Sequence, residues 1–308
     1  MTALIPPGRV VWGLQLPIQS QSGIFVQPWE RDAGPDELGR VARACDDAGA
    51  FYVGVCDHVA IPRPLDQTMG ATWYDTVATL GWLAAQTRHV HLLSHVFVVG
   101  YRHPLVTAKA FSTLDLLSGG RAILGVGAGH VEGEFAALGT DFGSRGSVLD
   151  EALDVIVEAF RTGEYGEALI APRSPRAGGP PIWVGGSSGP AMRRAVRGGD
   201  GWLPQGRPKM GMRAAIEWLG AERARLHPDD PSFDIGMNTE PIWIGEPDWD
   251  AGEHTLTGSA DAIAARLRSY RSVGASQMQV RFMSRSCDEA VEQIERFGRE
   301  VWPSVLEA

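Results

Sequence analysis

The chain has 308 residues, of which 44% are hydrophobic and 21% are charged, and its formal net charge is −9 at pH 7. This length and composition predict a folded protein with a large core and exclude a disordered chain. The excess of negative charge argues against a surface for nucleic acid or anionic membrane, because both partners require a basic field.

Apolar runs alternate along the chain with stretches of helical periodicity, which predicts repeated βα units. Eight predicted strands cover residues 10–16, 51–55, 90–98, 121–126, 181–184, 201–204, 235–244 and 277–282. Eight predicted helices cover residues 35–48, 72–86, 104–117, 149–162, 190–197, 210–226, 260–273 and 287–301. Strands that are apolar throughout indicate burial on both faces, and their alternation with helices indicates parallel crossovers. Residues 1–308 are therefore predicted to form a single α/β domain, a (β/α)8 TIM barrel.

Three connections between the predicted elements are long. Residues 17–34 and 127–148 leave the carboxyl ends of the first and fourth strands, where barrel enzymes build active sites, whereas residues 163–180 lie at the opposite end. The fifth and sixth strands are short enough to be read as loops. We expect the functional site at the carboxyl ends of strands one to five.

Asp57 and His58 follow the second predicted strand at its carboxyl end. A barrel keeps polar groups at this position for chemistry, and neither side chain gains from packing. A purely structural explanation is that Asp57 caps the following loop and that His58 bonds a backbone carbonyl. For the pair alone the structural explanation is favoured at roughly two to one, and the position at a strand end brings the two explanations to about even.

The histidines of the third predicted strand do not indicate a metal site. His89 and His91 form an HxH pair, which would suggest a metallohydrolase if it lay at the carboxyl end of a strand beside a carboxylate. The pair lies at the beginning of the strand, on the face that stabilises a barrel. We therefore predict no metal, and we expect these histidines to pack or to face solvent.

Two glycine-rich segments follow the fourth and fifth predicted strands. The first is GVGAGH at residues 125–130, in which backbone amides can approach a phosphate or the edge of a planar ring. The second is GGSS at residues 185–188, directly before a predicted helix whose free N–H groups suit a phosphate. Each segment alone is a weak signal, because tight turns also use glycine. Together they predict an elongated, phosphorylated cofactor.

Cysteine usage, the amino terminus and the length of the apolar stretches indicate the cellular compartment of the protein. Cys45, Cys56 and Cys287 include no CxxC pair, so neither a disulfide framework nor a zinc site is predicted, and we expect the three to serve in packing. The amino terminus lacks a signal-peptide pattern, and no stretch reaches the roughly 18 apolar residues of a membrane span. A cytoplasmic protein without a membrane or nucleic-acid partner is expected.

The longest stretch with a familiar pattern is WLAAQTRHVHLLSHVFVVGYRHPLVTAKAFSTLDLLSGGRAILGVGAGHVEGEFAALG. It resembles the bacterial luciferase-like monooxygenase superfamily, in particular its coenzyme F420-dependent oxidoreductase branch, which is common in actinobacteria. The segments GVCDHV, PIWVGGSS, RRAVRGGDGWLP and TGSADAIAARLRSY extend the resemblance over nearly the whole chain. The resemblance implies a bacterial luciferase-like TIM barrel with loop insertions that binds a flavin or deazaflavin at the carboxyl ends of its strands, within a homodimer.

The resemblance also implies roles for individual residues. Asp57 would contact the ring of the cofactor and His58 would face the substrate, while His95 and Val96 stand where the family often has a non-proline cis peptide against the ring. The implied cofactor contacts are Asp57, His95, Val96, Ala128, Gly129, His130, Gly185, Gly186 and Ser187. Relatives that oxidise a sugar phosphate have a glutamate at the position of His130 and a tryptophan at that of Pro62, so that substrate is placed in doubt.

We predict a hydride-transfer oxidoreductase that uses coenzyme F420 and a small-molecule substrate, with His58 and Asp57 as catalytic residues. His58 is the candidate acid/base, because imidazole titrates near working pH and a neighbouring carboxylate can tune it. The nearest alternative is a monooxygenase that uses FMN, O2 and a partner flavin reductase. An alternative of another class is a non-catalytic flavin-binding protein, against which the polar strand ends argue.

The substrate itself is not identified by the sequence. Aromatic residues near the first two strand ends are candidates for an apolar pocket, although core and loop packing explains them equally well. These residues are Trp12, Phe25, Trp29, Trp73 and Tyr74.

Overall fold

The computed structural model describes residues 3–23 and 25–307, so Met1, Thr2, Ile24 and Ala308 of the predicted domain lie outside the described residues. The strands within these ranges are β1 (Val11–Gln15), β2 (Tyr52–Val55), β3 (His91–Ser94), β4 (Phe97–Val98), β5 (Ala122–Gly127), β6 (Glu164–Tyr165), β7 (Ala168–Leu169), β8 (Ile182–Gly185), β9 (Gly201–Leu203), β10 (Asp234–Ile244), β11 (Leu256–Gly258) and β12 (Gln277–Phe282). The α-helices within them are α1 (Pro35–Asp47), α2 (Asp66–Met69), α3 (Thr76–Gln86), α4 (Pro104–Leu117), α5 (Glu132–Leu138), α6 (Arg145–Thr162), α7 (Gly189–Gly198), α8 (Met212–Leu226), α9 (Ala260–Arg271), α10 (Cys287–Arg296) and α11 (Trp302–Leu306).

Eight parallel strands of the described chain close into a barrel in the order β1, β2, β3, β5, β8, β9, β10 and β12, with β12 paired back to β1. The burial pattern explains the closure, since strands such as β2 and β5 are buried along their whole length and need cover on both faces. The predicted (β/α)8 TIM barrel is therefore confirmed, including the two short strands that are β8 and β9. The predicted connection 163–180 contains a small antiparallel hairpin, β6 and β7.

Two predicted elements differ in their limits. The third predicted strand is interrupted after Ser94, where the His95–Val96 peptide is cis, and resumes as β4. The second predicted helix begins only at Thr76, because Asp75 caps it by accepting a hydrogen bond from the Ala78 N–H. Residues 72–75, which were assigned to the helix, lie in the link between α2 and α3 instead, where Trp73 forms an isolated bridge with Ser20 of the first long connection.

The lower end of the barrel, where the strands begin, is closed by packing. A small cluster of buried side chains fills it, and Asp234 accepts hydrogen bonds from the backbone N–H groups of Leu4 and Ile5, which holds the amino-terminal segment across the opening. The open end of the barrel is therefore the carboxyl end of the strands.

No helix within the described ranges is both long and apolar enough to cross a membrane.

His91 lies in this closed half, where burial lowers the pKa of its imidazole to about 4. Its ring stacks on Phe51 with centroids 4.4 Å apart. An unfolded histidine titrates near pH 6.5, so between about pH 6.5 and 4 the unfolded chain binds a proton that the folded chain does not, and the free energy of unfolding falls as the pH is lowered through this window. We expect the melting temperature of His91→Gln to fall less than that of the wild type across this window.

Differential scanning calorimetry at pH 7 and at the lowest pH that keeps the protein reversible tests this expectation. The control is His254→Gln, since His254 is an exposed histidine. Equal losses of melting temperature in the wild type and in His91→Gln would contradict the assignment.

Candidate active site

A cavity of about 1050 Å³ opens at the carboxyl ends of the strands. Eight of the nine predicted cofactor contacts line it, and they lie at the end of β8 or in the residues that follow β2, β3, β5 and β8. These lining residues are Asp57, His95, Val96, Ala128, Gly129, His130, Gly185 and Gly186. His58 lines the same cavity. The fold thus brings together residues that the sequence separates by more than a hundred positions.

Ser187, the ninth predicted contact, has a different environment. Its hydroxyl donates a hydrogen bond to the Gly206 carbonyl and accepts one from the Gln205 N–H, so the side chain holds the next loop. Ser188 lines the cavity instead, and its hydroxyl caps α7 by accepting from the Ala191 N–H. The cap leaves the start of α7, with its partial positive charge, directed at the cavity.

Val96 forms part of the cavity wall between two glycines on neighbouring strands. A Cβ atom at Gly127 would lie 2.6 Å from Val96 Cγ2, and one at Gly185 would lie 2.8 Å from Val96 Cγ1. Any side chain at either glycine would therefore displace Val96. The two glycines therefore leave room for the Val96 side chain, which lines the cavity as an apolar group.

His58 is held by a buried carboxylate. Its Nδ1 lies 2.7 Å from Oε2 of Glu134, which is fully buried. Glu134 also accepts hydrogen bonds from the N–H groups of Val59 and Ala60 and from the Tyr101 hydroxyl. Burial by itself would raise the pKa of Glu134, but the hydrogen bonds from His58, Val59 and Ala60 outweigh it, and the pKa lies below its ordinary value. Glu134 is therefore a carboxylate at neutral pH and fixes the orientation of the His58 ring.

Two aromatic rings surround His58. The indole of Trp73 lies 4.2 Å from it, between centroids, and the imidazole of His130 lies 5.6 Å away in an edge-on arrangement. Burial of the ring, followed by the charge of the neighbouring His58, lowers the pKa of His130. Protonation of His130 is therefore disfavoured in this corner of the cavity.

The structure corrects the predicted relation between Asp57 and His58. The carboxylate neighbour of His58 is Glu134, whereas Asp57 forms a two-point ion pair with Arg102, with both N···O distances 2.7 Å. The other bonds to the Asp57 carboxylate come from the Val98 N–H and the Thr76 hydroxyl. The side chains of adjacent residues at a strand end point in different directions. Asp57 therefore bonds to Arg102, while His58 bonds to Glu134 at the cavity. The contacts favour an anchoring role for Asp57, and its catalytic role stays a prediction.

Sequence reasoning missed Glu134 and Arg145. Glu134 lies in the EF motif that contributes to the family resemblance, but nothing in the sequence connects it with His58. Arg145 begins α6 and lines the cavity, where its guanidinium lies 3.8 Å over the ring of Phe142. Within the described residues no carboxylate pairs with Arg145, in contrast to Arg194, which Asp150 neutralises at 2.8 Å. A single arginine in a long connection carries no sequence signal.

The aromatic residues considered for an apolar pocket have different surroundings in the structure. Phe25 and Trp73 line the main cavity, and Trp29 lines a smaller cavity beside it. Trp12 is fully buried on the helix side of β1, with its ring 5.0 Å from that of Phe297, so its assignment to the pocket was wrong. Tyr74 packs against the core.

The cysteines Cys45, Cys56 and Cys287 are all buried, as expected for packing residues.

Proteins from other organisms are similar in sequence to about half of this chain. An uncharacterised protein of Mycobacterium tuberculosis is 30% identical over 186 residues, which are 54% of this chain and 64% of that protein. An F420-dependent glucose-6-phosphate dehydrogenase from Amycolatopsis mediterranei is 31% identical over 181 residues, which are 55% of this chain and 53% of that enzyme. This chain therefore spans between about half and two thirds of the length of these relatives.

The fold extends the likeness to solved structures. A type II Baeyer–Villiger monooxygenase from Pseudomonas putida, solved in complex with FMN, aligns with a TM-score of 0.69 at 14% identity and covers 96% of this chain and 98% of its own. At that identity the likeness shows the fold alone. The sequence profile of the luciferase-like monooxygenases matches residues 17–253, which is more than half of the chain. The chain belongs to the luciferase-like monooxygenase family.

Proposed function

We propose that this protein is an oxidoreductase that transfers a hydride between coenzyme F420 and a small organic substrate, with His58 as the acid/base. One observation carries the proposal: the His58–Glu134 pair opens onto the same cavity as the two glycine-rich strand ends. A cavity of about 1050 Å³ accommodates both a cofactor and a substrate, since ligand pockets run from roughly 300 to 1,000 Å³.

The lining residues fit an elongated cofactor that has a planar ring and a phosphate. Val96, whose methyl groups pack against the bare backbone of Gly127 and Gly185, offers the ring an apolar wall. The start of α7 and the guanidinium of Arg145, which donates to the Phe142 carbonyl and has no carboxylate partner among the described residues, suit the phosphate. A bound deazaflavin supplies a carbon, where flavin has N5, that accepts or donates the hydride.

The chain itself supplies a proton relay. Because Glu134 is a carboxylate beside Nδ1 of His58, the neutral imidazole carries its proton on Nδ1 and leaves Nε2 as an acceptor. Nε2 can then take the proton of an alcohol as its hydride leaves, or return one to the oxygen of a carbonyl compound in the reverse direction. Of the two groups, His58 lines the cavity and Glu134 is fully buried beside it.

The relatives support an F420-dependent enzyme and leave its substrate open. The relative from Amycolatopsis mediterranei is F420-dependent and acts on glucose 6-phosphate. His130 and Pro62 replace the glutamate and tryptophan of sugar-phosphate oxidising relatives, so we do not propose that substrate. The Baeyer–Villiger monooxygenase with FMN represents the alternative cofactor.

The deciding experiment titrates the purified apoprotein with F420 and, in parallel, with FMN, and follows quenching of tryptophan fluorescence. Micromolar or tighter binding of F420 with weak binding of FMN supports the proposal. The reverse preference would move the protein to the oxygenase alternative, and absence of binding of both would overturn the cofactor assignment.

Arg145→Leu tests where the phosphate of the cofactor lies. Loss of one charge-assisted contact is expected to raise the dissociation constant of F420 by about tenfold, which corresponds to about 1.4 kcal/mol. The control is Arg193→Leu, because Arg193 is exposed on α7 and is not a lining residue of the cavity. Equal affinities of wild type and Arg145→Leu would place the phosphate elsewhere.

A further inference from the structure

A second cavity of about 360 Å³ adjoins the main one and shares Gln15, Ser20, Phe25, His95 and Gln205 with its lining. We call it the annex. From these shared residues it extends past the ends of β1 and β12 towards α1 and α10. The residues at its far end are Leu16, Val41, Phe282, Ala290 and Ile294, which are all buried and apolar.

We propose that the annex binds the apolar part of the substrate, which makes the substrate a neutral alcohol or carbonyl compound with an apolar chain or ring. The proposal rests on the proposed function, because that function requires an oxidisable or reducible group in the main cavity. The hydroxyl or carbonyl group of such a substrate would lie among the polar groups of the main cavity, and its apolar part would lie among the apolar residues of the annex.

The mouth of the annex contains a buried polar group that a ligand can bond. Nε2 of His95 makes no hydrogen bond of normal geometry within the described residues, and its polar neighbour is the Gln279 side chain, whose Oε1 also lacks one. The His95 side chain is only 7% exposed, and burial lowers its pKa to about 4, so it is uncharged at neutral pH. A buried group left in this state is unfavourable, because it has lost its bonds to water. The oxygen of an alcohol or carbonyl compound can accept a hydrogen bond from Nε2–H of His95, and the proton of an alcohol then stays available to Nε2 of His58.

The charged side chains of the annex, Glu30 and Arg281, have opposite charges that act on each other, and both also have partners within the protein. Glu30 accepts hydrogen bonds from the N–H groups of Ile18 and Gln27, each at 2.9 Å. Arg281 donates to the Phe25 carbonyl and lies 5.4 Å over the Phe25 ring. Neither group requires a counter-ion from a ligand, which favours a neutral substrate over a phosphorylated one.

The test fills the far end of the annex and measures binding of 2-octanol to the apoprotein by saturation-transfer difference NMR. Ala290→Leu adds volume inside the annex, while Ala44→Leu adds the same volume at an equally buried site, 6% against 5% exposed, that is not part of the lining. We expect the dissociation constant of 2-octanol to rise at least tenfold in Ala290→Leu and to stay unchanged in Ala44→Leu. Val26→Phe, on a loop at the annex, is a second filling variant that avoids the helix layer.

The same variants separate the two proposals. With F420 present, the kcat/KM for 2-octanol is expected to fall at least tenfold in Ala290→Leu, while that for 2-propanol, which is too short for the annex, stays unchanged. If F420 does not bind, the proposed function fails, and the NMR measurement still reports on the annex. If 2-octanol does not bind to the wild-type apoprotein, or binds equally to wild type and to both filling variants, the annex proposal is overturned.

Discussion

Replacement of His58 with alanine is expected to lower kcat for F420-dependent turnover by roughly a hundredfold or more, while the dissociation constant of F420 stays within about twofold of the wild-type value. The imidazole is the only predicted acid/base that is held by a buried carboxylate, through the 2.7 Å contact with Glu134. Its removal deletes the proton acceptor but leaves the glycine-rich strand ends and Arg145, which we assign to cofactor binding, in place.

Stopped-flow kinetics of F420 absorbance with a saturating alcohol, together with the fluorescence titration, measures both quantities on the same protein. His130→Ala is the matched control, because His130 lies 5.6 Å from His58 and lines the same cavity. A loss of turnover in His130→Ala, with full turnover in His58→Ala, would transfer the acid/base role to His130. Full turnover in both variants would rule out a histidine relay.

Glu134 separates a positioning role from a catalytic one. Glu134→Gln retains an acceptor for the Val59 N–H but removes the negative charge beside Nδ1 of His58. In the variant, kcat is expected to fall while the dissociation constant of F420 stays unchanged, because an amide orients Nδ1–H of His58 less firmly than a carboxylate does. A role limited to structure would lower the free energy of unfolding and leave kcat in place.

The barrel is the part of the structure that the sequence predicts best. Strands such as β2 and β5 are apolar along their whole length and lie between stretches of helical periodicity, so their class follows from local pattern. The short β8 and β9 were less certain, and they form because β5 and β10 on either side provide hydrogen-bonding partners. Pairing of this kind depends on the closed sheet and cannot be read from a few residues.

Most of the predicted site residues line one cavity, but their contacts were only partly predicted. The glycines at the ends of β5 and β8 led to the prediction of a cofactor there, whereas the Val96 side chain that packs against both was not foreseen as their partner. The contact of His58 with Glu134 joins residues 76 positions apart, and that of Asp57 with Arg102 joins residues 45 apart. Neither spacing corresponds to the period of a helix or a strand, so these contacts cannot be predicted from local sequence. They form only because the barrel brings the loops together.

Asp57→Asn is expected to lower the free energy of unfolding by about 3–5 kcal/mol, because it leaves the guanidinium of Arg102 without its ionic partner. The Asp57 side chain is only 2% exposed and that of Arg102 is 21% exposed, so solvent replaces little of the lost interaction. The same carboxylate accepts the Val98 N–H, and its loss also loosens β4 beside the cavity.

Urea denaturation followed by tryptophan fluorescence measures the effect, with Asp288→Asn as the matched control. Asp288 pairs with Arg40 at the surface, where the side chains are 81% and 47% exposed, so that variant should lose no more than about 1 kcal/mol. If Asp57→Asn instead keeps the stability of the wild type and loses turnover with cofactor bound, Asp57 is a catalytic residue as first predicted. A large loss of stability, with turnover retained by the folded fraction, assigns Asp57 to anchoring the segment that supports Val96, and leaves proton chemistry to His58.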